Sequence, residues 1–201
     1  MKQKIRIAIF ASGSGSNAEN IIRHFEKHAK IEVHSLLCNN PDAFVLERLK
    51  SFNVNQKVFN KADLYETDEI KSYLDWYEID YVILAGFLWL MPEKIINEFQ
   101  NKIINIHPAL LPAYGGKGMY GMNIHKAVIA HEEKETGITI HLVNAKYDEG
   151  RILFQIKTAI NPGDNANTIA EKIHLLEQQY FPKVIEDFIT TPPKVSKANY
   201  S

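Results

Sequence analysis

The sequence predicts an α/β fold: an open, mostly parallel twisted sheet with helices on both faces and an antiparallel addition toward the C-terminus. Three observations predict it. Apolar runs of strand length alternate with helix-length segments through the first half of the chain. The run Tyr81–Ala85 is nearly all apolar, as in strands buried on both faces. From Gly137 onward the pattern changes to period-2 alternation, then a turn and a further strand, which is the pattern of an antiparallel pair.

In chain order, Ile5–Ala11 reads as the first strand, Ala18–His28 as a helix and Val33–Cys38 as the second strand. Asp42–Phe52 is expected to be helical, with Asp42 as its cap and Phe44, Val45, Leu46 and Leu49 at helical spacing. Glu66–Tyr77 gives another helix before the Tyr81–Ala85 strand. Pro92 opens a short helix ending near Phe99, and Ile103–Ile106 is the next strand. Within Gly137–Val143, Ile138, Ile140 and Leu142 share one face, Thr139 and His141 the other. A turn at Asp148-Glu149-Gly150 leads to a strand over Arg151–Ile160. Asp164 can cap a final helix running to about Ile189, with Pro182 expected as a kink or break. Residues 1–190 read as one domain and 191–201 as a mobile tail.

Composition narrows the function. The formal net charge is −1, so no general attraction to nucleic acid or an anionic membrane is expected. No stretch is long and apolar enough to cross a membrane. The run Ile7–Ala11 is too short for a secretory core, and a cytoplasmic, reducing location is expected. The one cysteine, Cys38, cannot form an internal disulfide. None of the eight histidines stands in an H-E-x-x-H arrangement, and no metal is expected.

Ala11-Ser12-Gly13-Ser14-Gly15-Ser16-Asn17 lies where the first strand gives way to the first helix. Glycines permit close backbone approach, and free N–H groups at a helix start attract phosphate. The segment also satisfies G-x-G-x-x-A, but the second strand ends Cys38-Asn39-Asn40, without the carboxylate that a dinucleotide ribose requires. One phosphate suits this loop better than a pyrophosphate; the alternative is a tight turn with no ligand. Gly115-Gly116-Lys117-Gly118 lacks the Ser or Thr of a Walker loop and reads as a mobile loop near the site.

Asn105-Ile106-His107-Pro108 ends an apolar strand, beyond which ligands collect in open α/β sheets. Period 2 puts Asn105 and His107 on the same side, where an amide donor beside an imidazole can bind an oxyanion and move a proton. A hydrogen-bonded histidine closing the strand is the other reading. His141 either lines the cleft or packs beside it. His125 reads equally as a substrate contact or as a solvent-facing helix-start residue, and His24, His28, His34, His131 and His174 read as surface or packing residues.

GSGSN after the first strand, LAGFLWLM at 84–91, INIHPALLP at 104–112 and GITIHLVNAKYDEG at 137–150 together resemble the phosphoribosylglycinamide formyltransferase family. The resemblance runs from about residue 4 to 190 in the same order. It implies a Rossmann-like formyltransferase fold and transfer of a formyl group from 10-formyltetrahydrofolate to the amine of phosphoribosylglycinamide in purine (IMP) synthesis. The implied route is direct attack through a tetrahedral intermediate. It implies Asn105, His107 and Asp148 as the catalytic trio, with Asp148 holding His107 cationic; from the residues alone, Asp148 is equally a turn residue. Gly15, Ser16, Asn17 and Glu177 match the phosphoribosyl-binding positions. Leu88, Trp89, Leu90 and Met91 match the folate-pocket wall, Asn144, Ala145, Lys146, Tyr147 and Asp148 the loop around the pteridine, and Asn105 also meets the folate. A monomer or weak homodimer is expected.

Three departures stand out. Lys61 is the nearest cation where the family meets the folate tail, Trp89 stands where relatives often carry Arg, and Asn123 replaces the first histidine of an H-x-H pair whose second is His125. Methionyl-tRNA formyltransferase and formyltetrahydrofolate hydrolase share the Asn/His/Asp chemistry, but each carries a further domain for which this length leaves no room. A nucleotide-binding oxidoreductase rests on the glycine loop alone, and a non-catalytic phosphosugar-binding module is the remaining alternative.

Overall fold

The computed structural model describes residues 4–191; of the expected tail 191–201, everything after Thr191 lies outside the described residues. The strands are β1 (Ile5–Ala11), β2 (Ile31–Cys38), β3 (Asn55–Val58), β4 (Tyr81–Leu84), β5 (Ile103–His107), β6 (Glu135–Leu142) and β7 (Ile152–Ala159). They form one sheet in the order β3-β2-β1-β4-β5-β6-β7. Neighbours run parallel from β3 to β5, and β5–β6 and β6–β7 are antiparallel, as the change of pattern after Gly137 predicts. The helices are α1 (Ser16–Phe25), α2 (Phe44–Arg48), α3 (Glu69–Trp76), α4 (Glu93–Glu98), α5 (Met122–Ala130) and α6 (Ala166–Thr190).

Strand β1 explains why the runs are continuously apolar. Ile7, Ile9 and Ala11 belong to the apolar cluster that includes α1, α5 and α6, whereas Ala8 and Phe10 belong to the one that includes α3 and α4. Both faces of the strand are covered, so both parities must be apolar. Phe10 is fully buried, edge-on to Phe59 and Phe87, which is worth about 1.5–3 kcal/mol. The chain builds outward through β2 and β3, then returns to place β4 on the other side of β1. That reversal leaves a crevice beyond the carboxyl ends of β1 and β4.

Several elements differ from expectation for identifiable reasons. Strand β3, Asn-Gln-Lys-Val, is a short polar edge with no apolar run to announce it. Helix α2 covers only Phe44–Arg48, and Asp42 does not cap it. Its Val45 N–H donates instead to the Gly13 carbonyl, 3.0 Å away, so the helix start is docked on the glycine loop. The helix expected from Glu66 begins at Glu69, after a π-helical turn over Ala62–Glu66. At α6 the cap is Asn165, whose Oδ1 accepts from Asn167 and Thr168 N–H, while Thr168 Oγ1 accepts from Asn165 N–H. Asp164 instead accepts from Thr168 Oγ1 and pairs with Lys172.

Pro182 neither kinks α6 into two helices nor ends it. Proline has no N–H for the carbonyl four residues back. That carbonyl, Gln178 O, takes the side-chain N–H of Asn20 from α1 at 2.8 Å. The Gln178 amide in turn donates to Asn17 Oδ1 at 2.9 Å. The proline thus frees a carbonyl that stitches α6 to α1, and this stitch fixes where Glu177 sits.

Candidate active site

A cleft of about 650 Å³ opens at the β1/β4 reversal, within the usual range for small-molecule sites. Every site residue expected from sequence lines it except Ala145.

One part of the wall is backbone. Gly15, at φ 74°, is the residue before α1 and makes no side-chain cap, so the first-turn N–H groups of α1 are left for a ligand. A Cβ at Gly15 would lie 2.2 Å from Val45 Cγ2, so the position needs glycine for space as well as for dihedral. Arg48, which carried no signal in the sequence, donates to the Ser14 carbonyl at 2.8 Å and to Glu19 at 2.7 Å, bracing the loop from behind. Asn17 Nδ2 donates to Glu177 Oε2 at 2.9 Å. His174 lies one helical turn before Glu177, with Nδ1 3.6 Å from the same oxygen. The adjacent Glu177 carboxylate raises the His174 pKa. His174 therefore belongs to the cleft, and its i,i+3 spacing from Glu177 was the available signal.

A second part is apolar. Met91 is buried, Trp89 and Leu90 are half-buried and Leu88 is exposed at the rim, where Trp89 meets Tyr65 and Lys61. Asn144, Lys146 and Tyr147 face this wall's cleft from the loop after β6. That loop starts tight: a Cβ on Gly150 would fall 1.6 Å from the Leu142 carbonyl oxygen.

The third part is a network of fixed polar side chains. The β5–β6 register sets Asn105 directly opposite His141. His141 Nδ1–H donates to the Leu142 carbonyl (3.0 Å), which leaves Nε2 to accept from Asn105 Nδ2 at 3.0 Å. His107 Nε2–H donates to the Tyr114 carbonyl at 2.8 Å. Its Nδ1 faces Asp148 Oδ2 at 3.7 Å, too long for a hydrogen bond but close enough for the charge to act. Asp148 Oδ2 accepts the Gly116 N–H (2.9 Å), and Oδ1 lies 3.6 Å from His141 Nε2.

The electrostatics correct one expectation. Burial lowers the His107 pKa, and although Asp148 and the Tyr114 carbonyl oppose it, the net direction is down. His107 is therefore neutral at rest, not held cationic. Burial works to raise the Asp148 pKa, but His141, the Gly116 N–H and His107 hold it below the ordinary carboxylate value. Of the two readings of His125, the solvent-facing one is excluded, because the side chain is buried in the cleft wall. His141 lines the cleft and orients Asn105, a role that strand alternation alone could not separate from packing. Among the described residues no group of three or more His, Cys, Asp or Glu could hold a metal ion, and no helix is long and apolar enough to cross a membrane.

Comparison with known proteins bears on this geometry. The profile of the formyl transferase family matches residues 5–185. The phosphoribosylglycinamide formyltransferase of Bacillus subtilis is 34% identical over 200 residues, covering 96% of this chain and 99% of the relative. The chloroplastic phosphoribosylglycinamide formyltransferase of Arabidopsis thaliana is 37% identical, covering 90% of this chain. The chain spans 64% of that relative and 60% of its Vigna unguiculata counterpart. The crystal structure of glycinamide ribonucleotide transformylase 1 from Geobacillus kaustophilus superposes with a TM-score of 0.84 at 33% identity, covering 92% of this chain and 99% of that one.

Proposed function

The chain belongs to the formyl transferase family, and from that premise we propose that it transfers a formyl group from 10-formyltetrahydrofolate to the amine of phosphoribosylglycinamide, a step of purine (IMP) synthesis. The observation that carries the reading is that one cleft contains both an uncapped helix start for a phosphate and, beside the Asp148 carboxylate, two imidazoles, one of which holds the Asn105 amide.

On this reading the backbone N–H groups of Gly15, Ser16 and Asn17, at the entry to α1, hold the phosphate, and Glu177 holds the polar body of the phosphosugar. The Leu88–Met91 wall and the 144–148 loop suit a flat heteroaromatic ring, apolar on its faces and polar at its edge. When bound there, the folate supplies an activated formyl carbon. His107 Nδ1 takes the proton lost by the attacking amine as the new C–N bond forms, and returns it to the leaving nitrogen. The Asp148 carboxylate stabilises the imidazolium present between those events. Asn105, oriented by His141, donates its second amide hydrogen to the oxygen on which negative charge develops. One chain supplies every group named, so a monomer or weak homodimer serves. The reading uses no metal, nucleic acid or membrane, and a cytoplasmic site of action is consistent with it.

Formyl transfer assayed with phosphoribosylglycinamide, tRNA and water as alternative acceptors tests the proposal. Turnover with the phosphosugar alone is expected. Preferred transfer to tRNA or to water would assign the chain to a different activity of the family.

A further inference from the structure

Three consecutive residues beyond β5 grip both His107 and Asp148 through their backbone. The Tyr114 carbonyl accepts the His107 Nε2–H at 2.8 Å, and the Gly116 N–H donates to Asp148 Oδ2 at 2.9 Å. Between them, a Cβ on Gly115 would stand 3.2 Å from Asp148 Cβ and 2.8 Å from Leu111 Cδ2, so the turn lies against the pair. The bond to Tyr114 has a chemical consequence. A carbonyl accepts and cannot donate, so the proton of neutral His107 stays on Nε2 and the lone pair is left on Nδ1, toward Asp148.

The local backbone does not favour the conformation that aims this carbonyl. Tyr114 sits at φ 57°, a left-handed conformation that costs a residue with a Cβ about 1–2 kcal/mol. Such a conformation persists where the surroundings over-determine it, and here the side chain supplies that constraint. Tyr114 Oη donates to Glu133 Oε1 at 2.7 Å, the length of a charge-assisted bond. That uses the single hydroxyl proton. The 3.0 Å contact with His131 Nδ1 therefore runs the other way, from the imidazole N–H to the phenol oxygen. The half-buried ring lies 5.6 Å from that of His131 and packs on the apolar cluster that includes α5. Burial and Glu133 push the phenol pKa up to about 12, so it remains a donor throughout the neutral range. Neither Tyr114, His131 nor Glu133 lines the cleft, so Tyr114 reaches the reaction only through what its backbone holds.

We propose that Tyr114 is a positioning residue for formyl transfer: its phenol, strapped to the end of α5 by Glu133 and His131, aims the carbonyl that keeps the His107 proton on Nε2 and leaves Nδ1 free for the attacking amine. The inference rests on the role given above to His107 Nδ1.

Four variants separate this link from a general loss of packing. Tyr114→Phe removes the hydroxyl and keeps the ring, Glu133→Ala removes its acceptor, Glu133→Gln keeps a carbonyl oxygen there, and a double variant combines Tyr114→Phe with Glu133→Ala. For each, kcat, the KM of both substrates and Tm are measured. Imidazole ¹⁵N NMR reads the His107 tautomer without substrates, its signals assigned by their loss in His107→Ala. The unsubstituted enzyme should show His107 protonated on Nε2 alone, and Tyr114→Phe should bring in the Nδ1–H form. Tyr114→Phe is expected to lower kcat about tenfold with both KM values within about twofold, short of the roughly hundredfold cost of an ångström's misplacement. Glu133→Ala should match it, and Glu133→Gln should keep kcat within about threefold of the original. The double variant should be no slower than Tyr114→Phe, because the two groups act as one link. Unchanged kcat in Tyr114→Phe, a tautomer that stays wholly Nε2–H there, multiplied losses in the double variant, or a kcat falling only in step with Tm would overturn the inference. If Tyr114→Phe does not fold, Glu133→Ala against Glu133→Gln decides the matter by the same readouts. Absence of turnover by the unsubstituted enzyme overturns the functional reading, whereas turnover and tautomer both indifferent to Tyr114 overturn this inference alone.

Discussion

The glycine-loop side and the β5–β6 side of the cleft are built by opposite means. At the loop, the binding groups are backbone N–H groups at the start of α1, and side chains such as Arg48 serve to hold that backbone in place. At β5–β6, the working groups are side chains, and the backbone register holds them in place by setting Asn105 against His141. The difference has a consequence for substitution. The loop should tolerate changed side chains but not an added Cβ, whereas the β5–β6 network should tolerate no change in the chemistry of a side chain.

A large expected effect tests the second half of that contrast. Asn105→Ala should lower kcat by about 10²–10³-fold, the usual cost of removing one oxyanion donor, with KM for the phosphosugar changed little. A variant losing affinity but keeping kcat would move Asn105 from chemistry to binding. Asp148→Asn should lower kcat by about tenfold to hundredfold, corresponding to one to two units of lost imidazolium stabilisation. Its pH profile is the sharper readout. Neutral His107 is the working form, so kcat/KM falls on the acid side as pH drops through a pKa below the ordinary 6.5. Asp148 is the main charge opposing that depression, so its neutralisation should carry the acid limb to still lower pH. Movement of the limb to higher pH would contradict the assignment.

On the loop side, Gly15→Ala and Ser16→Ala form a pair. The first places a side chain at φ 74° against Val45, at about 1–2 kcal/mol for the backbone and about 1–3 kcal/mol for overpacking. Denaturation should show that loss, together with a raised KM for the phosphosugar. Ser16→Ala keeps the N–H groups and should leave KM within about threefold, about 0.6 kcal/mol. Equal damage from both would mean that the serine hydroxyl, not the backbone, carries the binding.

The smallest effect concerns stability. His34, His107 and His125 all have folded pKa values lowered, first by burial. Below pH 6.5 the unfolded chain binds more protons at these sites than the folded one, so stability present above that pH is lost as pH falls. Tm should drop modestly from pH 7 to pH 5.5, and less so in His125→Gln; a flat Tm would show that the three imidazoles do not resist protonation.

The same contrast explains what the sequence makes legible. Backbone sites are local, so the glycine loop can be read directly from Gly13, Gly15 and Asn17. Doubly buried strands such as β1 and β4 are equally plain, because both parities must be apolar. Asn105 and His107 are readable as a period-2 pair, but their partners His141 and Asp148 come from other segments and depend on register and loop path. His125 was hidden for a related reason: burial is a tertiary property, and a histidine on a helix carries no mark of which face will be covered. Arg48 had no local signal at all. Pro182 shows the limit from the other side, since the local rule for proline was sound and only Asn20, far away in the chain, made an unbroken helix possible.

The division of labour is tested most directly by single-turnover formyl transfer at saturating substrates, comparing the unsubstituted enzyme with His107→Ala. The account predicts that the variant binds phosphoribosylglycinamide with a Kd within about threefold of the original, while formyl transfer slows by about 10²–10⁴-fold. Transfer at the original rate by His107→Ala would contradict it.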